Sequence, residues 1–187
     1  MKPESITDAD GALNRLKSGN RAFLSAAENK SDISPSVRKE TAQKGQFPYA
    51  VIVACSDSRV VPEHIFGCGI GELFVIRVAG NVIGDHQLGS IEYAVRHLKC
   101  PLVVVLAHTG CGAVNAALQG AAEGYVRTIA EEIRIAANGA ADAEEAARRN
   151  AAACAARIER ALGNGKGAPK VSSALYRIES GAVEFYE

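Results

Sequence analysis

Three apolar runs, YAVIVA at 49–54, LFVIRV at 73–78 and LVVVLA at 102–107, decide the architecture open to this chain. Each is rich in Val, Ile or Leu, and none alternates cleanly between apolar and polar, which is the pattern of a strand covered on both faces. Strands of that kind pair in parallel, and parallel pairing needs a crossover between consecutive strands, usually a helix. The stretch DHQLGSIEYAVRHLKCP between the second and third runs supplies one. Its Leu88, Ile91, Val95 and Leu98 share a helical face, and Pro101 marks the exit.

The flanking segments complete the pattern. Leu13, Leu16, Phe23 and Leu24 at helical spacing predict an amphipathic helix over 9–27, and the polar stretch 30–48 reads as a connector with room for one short helix. Residues 112–162 are Ala-rich and helical, interrupted near NGAAD at 138–142. In the last helix Ala147, Ala151, Cys154, Ile158 and Ala161 form a narrow stripe of mostly small residues that permits close helix packing. The closing KVSSALYRIESGAVEFYE reads as two strands joined by a turn at Ser180-Gly181. The expected fold is α/β, with about four parallel strands plus an antiparallel C-terminal strand, flanked by helices and with a protruding N-terminal helix. A single domain over 1–187 is expected, with a helical arm at 1–48 and a core at 49–187.

Bulk properties narrow the function classes. Lys plus Arg equals Asp plus Glu at 21 each, so no net field draws the chain to nucleic acid or an anionic membrane. No segment approaches ~20 uninterrupted apolar residues, so no membrane span is expected. The opening MKPESITDADG holds no apolar run of the secretory kind, and five cysteines, an odd number, favour a reducing compartment. The expectation is a cytoplasmic protein.

The chemistry concentrates where two of the runs end. In VIVACSDSRVVP, Cys55, Asp57 and Arg59 stand at alternate positions, and LVVVLAHTGCGAV ends with His108 and Cys111. Sites in open parallel sheets form outside the carboxyl ends of strands, where the strand order reverses. If the strands ending at Ala54 and Ala107 are neighbours, Cys55, Asp57, His108 and Cys111 converge there. Two sulfurs, an imidazole and a carboxylate suit Zn²⁺, one per chain. Two thiolates and a neutral imidazole leave the metal formally neutral with a fourth position free, whereas Asp57 as fourth ligand would leave no place for a nucleophile. Arg59, a planar fork that binds carboxylates at two points, can hold Asp57 off the metal. Gly110 and Gly112 permit a tight turn, and Gly112 opens a helix whose N-terminal amides favour a small anion. The competing reading of the four residues is a structural zinc or scattered buried thiols.

CSDSR followed by HTGC resembles the β-class carbonic anhydrases, whose pattern is C-x-D-S-R and then H-x-x-C. LNRLKSGNRAF, GELFVIRVAGN, SIEYAVRHLK and SGAVEF are similar to further segments of that family, over roughly 12–118 and 170–186. The resemblance implies a zinc enzyme for the reversible hydration of carbon dioxide to bicarbonate and a proton by a metal-bound hydroxide. It implies a homodimer or an assembly of dimers, the N-terminal helix reaching across to the partner. Cys55, His108 and Cys111 would bind zinc, while Asp57 either pairs with Arg59 in an open form or becomes the fourth ligand in a closed one. Ile52 and Ala54 replace a Trp and a Gly of the bicarbonate-regulated members. Gln46, Phe74 and Tyr93 instead match the pocket residues of the open, plant-type members. His97 matches a residue linked to proton export. Carbonyl sulfide or carbon disulfide hydrolysis on the same zinc site, and a catalytically silent zinc-binding protein, are the alternatives.

Overall fold

The strand β1 (Ala50–Ala54) is buried at every residue, as an apolar run without alternation requires. The computed structural model describes residues 6–25, 28, 31–165 and 167–186. Around β1 the chain runs α1 (Ala9–Ser25), α2 (Pro35–Lys44), β1, α3 (Pro62–Ile65), β2 (Leu73–Arg77), a 3-10 turn (Ala79–Asn81) and α4 (Asp85–Arg96). It continues through β3 (Leu102–His108), α5 (Gly112–Gln119), α6 (Val126–Ala136), α7 (Ala143–Leu162), β4 (Lys170–Tyr176) and β5 (Val183–Tyr186). The strands form one sheet in the order β2-β1-β3-β4-β5. The first four are parallel, and β5 returns antiparallel beside β4, the expected arrangement.

Successive side chains of a strand point to opposite faces, so the sheet carries two cores. Val51, Val53, Val103 and Val105 meet Ile91, Val114, Ile133 and Ile158 from α4 to α7 on one face. Ala50, Ile52, Val104 and Leu106 meet Leu13 and Leu16 of α1 and Ile65 of α3 on the other. The α1 contact is close because Gly19 has no side chain: a Cβ there would lie 1.8 Å from the Phe66 carbonyl oxygen. The buried Asn20 then ties α1 to the β4–β5 hairpin. Its Nδ2 donates to the Gly181 carbonyl at 2.9 Å, and its Oδ1 accepts from the Val183 amide at 3.0 Å.

Several details differ from the sequence reading. The apolar stripe of α1 is buried at Leu13 and Leu16, but Leu24 is exposed; residues 26, 27 and 30 of the expected helix and connector lie outside the described residues. The Ala-rich stretch has a second break, at 120–125, where Gly120 and Gly124 adopt positive φ of 66° and 55°, a conformation that ends a helix. The stripe on α7 is buried from Ala147 to Ile158 and ends there, leaving Ala161 exposed. Among the described residues no helix is long and apolar enough to cross a membrane.

Candidate metal centre

From the end of β2 the chain crosses to the far side of β1 and re-enters the sheet as β3, so the strand order reverses between β1 and β3. The two strands pair in parallel with Ala54 opposite Leu106, which brings Cys55, just past β1, level with the end of β3. His108 is the last residue of β3, and Cys111 is the residue on which α5 opens. Between them Gly110 turns the chain with φ of 65°. One sulfur each from Cys55 and Cys111 and one imidazole nitrogen of His108 lie within 4.8 Å of one another, all three residues buried.

These three residues need a partner that the described residues do not supply. His108 Nδ1 lies 3.0 Å from the Thr109 carbonyl, which only accepts, so Nδ1 carries the proton and Nε2 the lone pair. That Nε2 is buried and has no hydrogen-bond partner among the described residues. A buried acceptor left unpaired costs about 1–3 kcal/mol. The sulfurs show the same deficit, since two thiolates this close repel. Donation from Cys111, helped by the amides of Asp57 and Gly80, draws the Cys55 thiol well below its usual range. The same sulfur contact, with burial, pushes the Cys111 thiol up. A cation between them offsets the repulsion and engages Nε2. Two sulfurs and one imidazole therefore fit a borderline-soft divalent metal.

Asp57 stands beside this cluster and is firmly held. Arg59 Nε donates to Asp57 Oδ1 at 2.9 Å and Arg59 Nη2 to Oδ2 at 2.7 Å, a two-point grip, and the Arg59 amide also donates to Oδ1 at 2.9 Å. Held this way, the carboxyl stays far below the usual carboxylate range, with the Arg59 side chain as the main cause. Asp57 Oδ2 lies 4.0 Å from His108 Nε2, so the carboxylate faces the ligand cluster while bound to the arginine. Arg77 fixes the backbone beneath: its Nε donates to the Cys55 carbonyl at 3.1 Å and its Nη2 to that of Asp57 at 2.7 Å. Gly80 adds an amide donor to Cys55 Sγ at 3.3 Å.

The other expected site residues lie elsewhere in the chain, except Gly112, which opens α5 beside Cys111. Phe74 pairs with Val51, four residues before Cys55, about 13 Å along the strand at ~3.3 Å per residue. Its ring lies 6.3 Å from that of Tyr93, which in turn lies 5.3 Å from His97. Tyr93 and Gln46 are exposed. Within one chain, then, Phe74, Tyr93 and His97 form an aromatic group at the other end of β1. Sequence reasoning also missed Asn150, a buried residue of α7 that donates to the Gly80 carbonyl at 2.8 Å. Its one signal is a polar residue between Ala147 and Ala151 of an apolar stripe.

Comparison with known proteins agrees with this geometry. The carbonic anhydrase family model matches residues 50–183. Carbonic anhydrase 2 of Mycobacterium tuberculosis is 46% identical over 132 residues, 68% of this chain and 63% of that protein. The carbonic anhydrase of Mycolicibacterium smegmatis is 44% identical over 130 residues, 65% of this chain and 61% of that protein. The alignments thus span less than two thirds of the length of these curated relatives. The crystal structure of the β-carbonic anhydrase CafA of Aspergillus fumigatus superimposes with a TM-score of 0.69 at 29% identity, over 82% of this chain and 81% of that one. A sheet that reverses its order at a Cys-His-Cys cluster, a family match over most of the chain and these relatives lead to one assignment: the chain belongs to the carbonic anhydrase family, in its β class.

Proposed function

We propose that this protein is a zinc enzyme that interconverts carbon dioxide and bicarbonate, with Cys55, His108 and Cys111 as the protein ligands. The observation that carries the reading is the pairing of a three-ligand cluster with an adjacent carboxylate already engaged by an arginine. Structural zinc sites close their shell with four protein ligands, whereas catalytic ones keep a position open. A zinc ion held there supplies a Lewis acid that lowers the pKa of a bound water.

The protein's own groups then do the following. Asp57, ionised throughout the neutral range, accepts a hydrogen bond from the attacking water and turns one of its lone pairs toward the carbon. Arg59 keeps that carboxylate in place and off the metal. The amides at the start of α5, from Gly112 on, favour an anion such as bicarbonate. Gln46, Phe74 and Tyr93 lie far from the cluster of their own chain, which supports a pocket lined by these residues from a second copy, and hence a homodimer or an assembly of dimers. Tyr93 is 48% exposed and Phe47, beside Gln46, is 75% exposed, apolar surface suited to such a contact. His97, exposed and with its ring tilted against that of Tyr93, serves in this reading as a proton exit. Residues 49–187 act as one metal-binding core, with 1–48 as its helical arm.

The test measures metal content and stopped-flow hydration of carbon dioxide on purified protein and on Asp57→Ala. The proposal expects about one zinc per chain in both and turnover reduced by ~10²-fold or more in the variant, the usual scale for losing a positioned proton acceptor. Zinc-loaded protein without hydration activity, or normal turnover in Asp57→Ala, refutes it. A parallel measurement of hydrogen sulfide released from carbonyl sulfide separates the two substrates.

A further inference from the structure

Gly80 makes two contacts that link the candidate centre to a helix outside it. Its N–H donates to Cys55 Sγ at 3.3 Å, and its carbonyl accepts from Asn150 Nδ2 of α7 at 2.8 Å. Both contacts are buried, and Asn150 itself is 2% exposed. The residue between them has to be glycine. Its φ is 67°, and a Cβ would lie 2.6 Å from Ile133 Cδ1 and 3.1 Å from the Ala113 Cβ. Glycine also offers the least intrinsic resistance to rotation about its own φ and ψ. The direction of its N–H must therefore be set from outside, and the only side-chain hydrogen bond seen to its carbonyl among the described residues comes from Asn150.

We propose that Asn150 is a positioning residue for the metal centre: by fixing the Gly80 carbonyl it aims the Gly80 N–H at Cys55 Sγ and so tempers the electron donation of that sulfur to the metal. An N–H directed at a thiolate draws charge from it. Hydrogen bonds of this outer kind orient ligands and tune the ion they hold, and their loss typically costs about 10–100-fold in metal affinity. The anchor runs from β1 through the 3-10 turn to the middle of α7, so the sulfur is controlled from a helix that carries no ligand. This inference rests on the reading of Cys55 as a metal ligand.

Cobalt substitution tests it without recourse to activity. The sulfur-to-cobalt charge-transfer band reports donation by the thiolates, and competition with a chromophoric chelator reports affinity. Asn150→Leu, which fills similar space but cannot donate, is expected to move the band to longer wavelength and weaken binding about tenfold. Asn150→Ser, shorter and more readily tolerated, is read the same way should the leucine variant not fold. Ile158→Val, which alters the packing of α7 two turns beyond Asn150 and has no polar group to bond it, is expected to leave the band in place. An unshifted band in a folded, cobalt-loaded Asn150 variant overturns the proposal, as does an equal shift in Ile158→Val. Wild-type protein that takes up no cobalt at Cys55, His108 and Cys111 fails the functional reading itself, a result distinct from either.

Discussion

Removing the guanidinium of Arg59 is the sharpest perturbation of the site. In Arg59→Ala, Asp57 loses the bonds at 2.9 and 2.7 Å and keeps only the amide of residue 59. Hydrogen bonds to charged groups contribute ~1.5–3 kcal/mol each when sheltered. Arg59 is 54% exposed at its side chain, so solvent screens the pair and weakens it relative to a sheltered one. The released carboxylate, 4.0 Å from His108 Nε2, is a side-chain rotation from joining the ligands. Each ~1.4 kcal/mol of lost grip corresponds to a tenfold shift in population toward the metal-bound carboxylate. Turnover by stopped-flow hydration should fall several-fold, about tenfold once nine molecules in ten have the carboxylate on the metal, with zinc retained. Arg59→Lys, a point charge without the fork, should fall between. Combining Arg59→Ala with Asp57→Ala should cost no more than Asp57→Ala alone, because the arginine acts only through the carboxylate. Arg59→Ala turning over within twofold of wild type would refute the assigned role.

Three further outcomes are expected. Gly19→Ala places a methyl group against the Phe66 carbonyl, and overpacking of this kind costs about 3 kcal/mol. Its denaturant midpoint should fall accordingly, and an unchanged midpoint would show that α1 does not lie as described. Glu144 and Glu184 both contact Arg177, which holds their carboxyls below the ordinary value of 4.5, so the stabilisation is complete above that pH and lost as pH falls through their lower folded values. Urea midpoints taken from pH 6 down to pH 3 should drop more steeply in wild type than in Arg177→Met; equal slopes count against the linkage. Burial pushes the thiols of Cys68 and Cys154 up to about 11 and that of Cys100 up to about 12. At pH 8 a thiol reagent should therefore leave these three unmodified in folded protein, and rapid labelling of any of them contradicts their burial.

What the sequence made legible follows from how local each signal is. Val, Ile and Leu runs declare buried strands by themselves, and the spacing of His108 and Cys111 at a strand end carries its own chemistry. Asp57 and Arg59 were readable as a pair because two residues apart they lie close together, and Arg59 does bond both carboxylate oxygens of Asp57. The break at 120–125 was hidden because Ala and Gly in an Ala-rich stretch give no apolar period to interrupt. Asn150 was hidden for a different reason. Its partner is a backbone carbonyl 70 residues away, and a carbonyl leaves no trace in the letters. Gln46, Phe74 and Tyr93 match the family pattern in order along the chain, yet the strand register sets Phe74 far from the cluster, a separation that only pairing reveals.

The strand β3 is buried at all seven positions and bonded on both sides, to β1 and to β4. Amide hydrogens of such a strand exchange only when the whole molecule opens, whereas helix ends and outer segments open cheaply on their own. His108 closes that strand, and the neighbouring Thr109 amide is bonded to the Tyr176 carbonyl of β4. Of the three ligands, His108 therefore stands on the segment least free to open by itself. Warmed protein should keep full activity until its cooperative transition and then lose both together, with β5 fraying earlier and at little cost to turnover.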